Sequence, residues 1–87
     1  MTYNLYAIKD TVTELFATPY LGENDSAATR AFMLDKSKQP FADDFALYLL
    51  GTYDPATAVI KSTPGGKPVL ICDGEIIDAA RKNGDVS

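Results

Sequence analysis

The 87-residue chain sets 8 lysines and arginines against 12 aspartates and glutamates, for a net charge of -4, with 46% hydrophobic residues, one cysteine and no histidine. It is too apolar for an intrinsically disordered chain and too short for two cores, since a domain of this size buries roughly 60% of its unfolded surface. The missing histidine and the lone Cys72 exclude an internal disulfide, a zinc site and most Ser or Cys nucleophile arrangements, while the acid excess repels phosphate backbones unless a local basic patch offsets it.

"TYNLYAIKD" and "ELFATPY" are short segments rich in aromatic, Leu and β-branched residues, joined through "KDTVT". They read as a hairpin of two antiparallel strands, the second near an edge because Pro19 has no N–H to give a ladder. "GENDSAATRAFMLDKSKQP" changes period. Asn24 or Asp25 is an N-cap, acids fill the first turn and lysines the last, and Pro40 closes the segment, predicting a helix from about Asp25 to Lys38. Its apolar stripe is expected to hold Ala27, Ala31 and Leu34 beside Ala28 and Phe32, with Arg30, Asp35 and Lys36 facing water.

"DDFALYLLGTYDPAT" is the most apolar part of the chain and reads as the central strand. Gly51 marks a bulge or a close approach, and "YDPAT" turns into "AVIKS" as a second hairpin. "TPGGKP" breaks the pattern, and "VLIC" is a fifth strand with Cys72 as a buried thiol. Beyond it, Asp73-Gly74 is either a hairpin turn into "EII" or the cap of a short C-terminal helix "GEIIDAARK"; the helical spacing of Ile76, Ile77 and Ala80 and the Asn-Gly stop favour the helix.

The expected fold is therefore α+β, one domain over residues 1–87 with a core over 3–72 and a helix or tail over 73–87. It is an antiparallel sheet of four to five strands with one central helix. Strand alternation puts Leu5, Ala7, Leu15, Ala17, Leu47 and Leu49 on one face and Tyr6, Ile8, Phe16, Tyr48 and Leu50 on the other. Both faces are apolar, more than one helix can cover.

No constellation for catalysis emerges. Asp43 and Asp44 diverge in an extended segment, and Asp73 with Glu75 is better explained as a helix start than as a cation site. "TPGGKPV" departs from a phosphate loop, with Lys61 where the first glycine belongs and Pro68 in place of the hydroxyl residue. No cofactor or metal is expected. Tyr6, Phe16 and Tyr48 are candidates for a base-stacking platform, with Lys9 or the cluster Arg30, Lys36 and Lys38 on phosphates. The competing reading closes that face with a second copy through Tyr6, Ile8, Tyr48 and Leu50, giving a homodimer.

No apolar run nears the roughly 18 residues that cross a bilayer, and "MTYNLYAIKD" lacks the basic start and apolar centre of a signal peptide, so a cytosolic protein with no membrane partner is expected.

"YNLYAIKD", "ELFATPYL", "ATRAFMLD" and "DFALYLLGTYDPATAVI", in that order, resemble the small nonstructural protein of gokushovirus-type microviruses, single-stranded DNA phages. The resemblance falls on Asp10, Phe16, Pro19 and Tyr20, on Ala28, Arg30 and Phe32, and on Asp44, Leu50, Gly51, Tyr53 and Asp54. It runs over about residues 3–60, with a shorter loop "KSKQPFAD" than many members carry. The resemblance implies a non-virion protein of the infected bacterial cytoplasm, acting in the switch from duplex replication to synthesis and packaging of single-stranded genomes. Its implied partners are single-stranded DNA and viral or host replication proteins.

Overall fold

A computed structural model of the chain describes residues 1–74. Over these residues the fold is α+β, a six-stranded antiparallel sheet with one α-helix against it, one strand more than the upper expectation. The two long strands, β1 (Tyr3–Asp10) and β4 (Phe45–Asp54), pair at the centre. Two short strands, β2 (Leu15–Phe16) and β3 (Tyr20–Gly22), share the outer edge of β1. β5 (Val59–Ser62) and β6 (Val69–Asp73) share the outer edge of β4. The question of helix or strand at residues 75–83 lies outside the described residues.

The expected second strand is split because Pro19 interrupts it. A proline offers no N–H to the ladder, so β1 is paired first by β2 at Lys9 and Asp10 and then by β3 at Asn4 to Tyr6. Helix α1 (Asp25–Lys36) starts at Asn24, whose side-chain oxygen accepts from the Ala27 N–H at 2.8 Å. It stops one residue before Ser37, two short of Lys38. Gly51 is where the chains crowd: a Cβ there would lie 2.0 Å from the Lys61 carbonyl oxygen, and a bulge shifts the β1–β4 register beside it. The "YDPAT" turn forms with Asp54 Oδ1 accepting from the Ala56 N–H at 2.9 Å.

The core lies between the sheet and α1, built on Tyr6, Ala28, Phe32, Ala42 and Leu47, with Ile8, Tyr20, Met33, Phe45, Leu49, Ile71 and Cys72 packed around it. This rotates the helix from its expected setting. Ala28 and Phe32 are buried as expected, but Met33 joins the core while Leu34 is 66% exposed and Ala31 faces solvent. Lys36, expected in water, lays its ammonium 4.5 Å from the centre of the Phe45 ring. Arg30 and Asp35 are exposed.

The faces are also reassigned. Tyr6 pairs with Leu49 and Ile8 with Leu47, so these four share the helix-covered face. Lys9 pairs with Phe16 and Ala7 with Tyr48, which puts Phe16 and Tyr48 on the opposite face with Leu5, Ala7 and Lys9. Tyr6, at 0% exposure, is thus no part of a surface platform or of a contact with a second copy, while Ile8 packs half-buried against the core.

Tyr6 also ties helix to sheet. Its hydroxyl donates to Asp25 Oδ1 at 2.6 Å and accepts from Asn4 Nδ2 at 2.9 Å. Burial, and after it the hydrogen bond to Asp25, pushes the Tyr6 hydroxyl up to about 12. Gly22 makes room for this ring, since a Cβ there would stand 2.7 Å from Tyr6 Cε2.

Candidate nucleic-acid interface

The sheet face opposite α1 brings together three of the candidate residues, Lys9, Phe16 and Tyr48. Phe16 and Tyr48 meet edge to face with ring centres 5.3 Å apart, and Lys9 Nζ stands 5.6 Å from one ring centre and 6.0 Å from the other. Three segments bring them together: β1 presents Lys9, the hairpin return presents Phe16 beside it, and β4 presents Tyr48. A cation held over two aromatic rings keeps its charge at the surface while its stem packs on them. Phe16 is 41% exposed, so part of its side chain is open to solvent.

Strand alternation extends this face beyond the residues singled out from sequence. Tyr3, directly opposite Tyr53, shares the side of Leu5, Ala7 and Lys9, and Ile60 follows opposite Tyr53. Leu21, opposite Leu5, and Leu70, opposite Tyr48, add 46% and 51% exposed apolar side chains. The i, i+2 run Tyr3, Leu5, Ala7, Lys9 was the visible signal for Tyr3; the partnership with Tyr53 needed the register. Among the described residues no element lies over this face.

The remaining basic candidates stand elsewhere. Arg30 projects from α1, on the other side of the sheet, and Lys38 is exposed beyond the helix end. Lys36 is engaged by the Phe45 ring and by Asp35 Oδ2 at 3.2 Å. The expected set therefore divides into Lys9, Phe16 and Tyr48 on one face and Arg30, Lys36 and Lys38 on or after the helix. Leu50 is half-buried at the bulge.

A family model described as Phage ORF5 protein matches residues 3–77. The chain belongs to this family. The match runs past Ser62, beyond the stretch in which the sequence resemblance is readable. Neither the curated proteins nor the solved structures yield a match.

In this Phage ORF5 chain the described residues contain no group of three His, Cys, Asp or Glu side chains placed to hold a metal ion. Cys72 packs against the core, and burial pushes its thiol up, away from the thiolate that reacts. Among the described residues no helix is long and apolar enough to cross a membrane.

Proposed function

We propose that this Phage ORF5 protein is a non-virion accessory of gokushovirus-type single-stranded DNA phages, working in the cytoplasm of the infected host during genome replication or packaging. It acts by binding rather than catalysis, and it holds single-stranded DNA on the sheet face of Lys9, Phe16 and Tyr48. The observation that carries this reading is the Lys9 ammonium over the Phe16–Tyr48 ring pair. Bases stack on rings in any sequence, at about 1–3 kcal/mol per base, and a cation beside them takes the phosphate. Tyr3 and Tyr53 prolong the surface along the strands.

The test is an equilibrium titration with a short oligothymidylate across salt. Binding should weaken as salt rises, Tyr48→Ala should cost about tenfold or more, and Lys9→Ala should flatten the salt slope by about 0.7, one phosphate contact on a single strand. Binding unchanged by both substitutions would sink it.

A second reading is a protein adaptor with no direct nucleic-acid contact, and the net charge of -4 favours it. In that case the exposed Leu21, Leu70 and Ile60 of the same face meet a second copy or a viral or host replication protein. A stable dimer in light scattering that Tyr48→Asp dissociates, with no retention on single-stranded DNA, would select it.

A further inference from the structure

One end of the molecule carries a second surface whose chemistry differs from the DNA face. Where β1 leaves the sheet and β4 enters it, Asp10, Val12, Phe41, Asp44 and Phe45 line an open groove of about 360 Å³. A neighbouring groove of about 270 Å³ shares Asp10 and Phe45 and adds Ile8, Leu15, Phe16 and Lys36, so it runs on to the edge of the Lys9 face.

The large side chains here are unusually bare: Phe41 is 66% exposed, Val12 71% and Leu15 69%. A small domain gains nothing in its own fold from three such side chains gathered at one end. The site is also built rather than loose. The Thr11 N–H and hydroxyl both donate to the Asp44 carbonyl at 2.8 Å, clipping the two walls together, and the Asp44 N–H donates to the Phe41 carbonyl at 3.0 Å within one of them. Asp10 Oδ1 accepts from the Val12 N–H at 2.9 Å, which fixes its carboxylate at the groove edge.

We propose that this groove docks a short basic and apolar peptide segment of another protein, with a large apolar side chain between Phe41 and Val12 and an adjacent Arg or Lys against Asp10 and Asp44. Charge complementarity selects this occupant. Carboxylates on both walls repel a phosphate backbone and attract a cation, and an Arg flanked by an apolar neighbour also stacks on an exposed ring such as Phe41. The groove of Val12, Phe41 and Asp44 shares no lining residue with the face of Lys9, Phe16 and Tyr48, so its occupant does not depend on whether that face binds DNA.

Two fluorescein-labelled peptides, Gly-Arg-Leu-Arg-Phe-Gly and its counterpart with Glu in place of Arg, test this with the full-length protein. The basic peptide should bind at least tenfold more tightly than the acidic one. Phe41→Ser should abolish the binding and Asp44→Asn should weaken it about fivefold, with circular dichroism unchanged. Val12→Ser serves in the same role should Phe41→Ser fail to fold. Equal affinity for the two peptides, no binding of either, or binding indifferent to these substitutions would overturn the proposal. Self-association that Phe41→Ser removes would assign the groove to a second copy, and an oligonucleotide competing for it would assign it to DNA; either result overturns it as well.

Discussion

The Tyr6 hydroxyl donates a 2.6 Å hydrogen bond to the Asp25 carboxylate, joining a central strand to the first turn of the helix that covers it. The hydroxyl must stay protonated to donate, and the structure raises its pKa from an ordinary value of 10.0 to about 12. Above pH 10 the unfolded chain loses this proton while the folded chain keeps it, so the folded state binds more protons and stability falls as pH rises. The loss should run from about pH 10 to about pH 12 and total on the order of 2 kcal/mol. Burial raises Tyr20 and Cys72 as well, and both add to the decline in the same direction. Denaturant melts between pH 8 and 12 check this, with Tyr6→Phe expected to show a shallower alkaline slope.

At neutral pH, Tyr6→Phe should itself cost about 1–3 kcal/mol. It leaves Asp25 without its donor and Asn4 Nδ2 without its acceptor, while the ring still fills the core. Urea melts of the two proteins measure the difference.

The setting of α1 is tested by a pair of truncations. Phe32 is 1% exposed and Leu34 is 66% exposed. Phe32→Ala should cost about 3–5 kcal/mol, enough to unfold a domain of this size, whereas Leu34→Ala should stay within about 0.5 kcal/mol. Thermal melts in which Leu34→Ala cost as much as Phe32→Ala would instead support the stripe that includes Leu34.

Gly51→Ala should destabilise by several kcal/mol or prevent folding, because its Cβ would fall 2.0 Å from a main-chain oxygen of the neighbouring strand, which cannot move aside as a side-chain tip can. Soluble yield and melting temperature report this. Asn24→Ala is the mild counterpart, costing about 1 kcal/mol through loss of the cap on the Ala27 N–H.

Local signals carried much of the fold. The Asn24 cap, the hairpin turns, the crowded Gly51 and the edge role of the Pro19 segment all depend on chemistry within a few residues, and each was readable. Which strand faces match was not. Alternation along one strand is fixed, but matching two strands needs their register, and Lys9 opposite Phe16 joins an odd position to an even one. That pairing moves Phe16 away from Tyr6, and Ala7 opposite Tyr48 does the same for Tyr48. The setting of the helix is hidden for a related reason: Ala27, Ala28 and Ala31 make its apolar stripe broad, so local spacing does not separate Met33 from Leu34. The groove of Asp10, Phe41 and Asp44 leaves no sequence signal, because its walls come from distant parts of the chain and meet through the Asp10–Phe45 strand pairing and the Thr11–Asp44 clip.

The face opposite the helix is tested most directly by nuclear magnetic resonance of the full-length protein titrated with oligothymidylate at low salt. The account predicts shifts at Lys9, Phe16 and Tyr48, extending to Tyr3 and Tyr53, with the core ring of Tyr6 unmoved. Shifts confined to Arg30, Lys36 and Lys38 on the helix side, or no shifts at all, would contradict it.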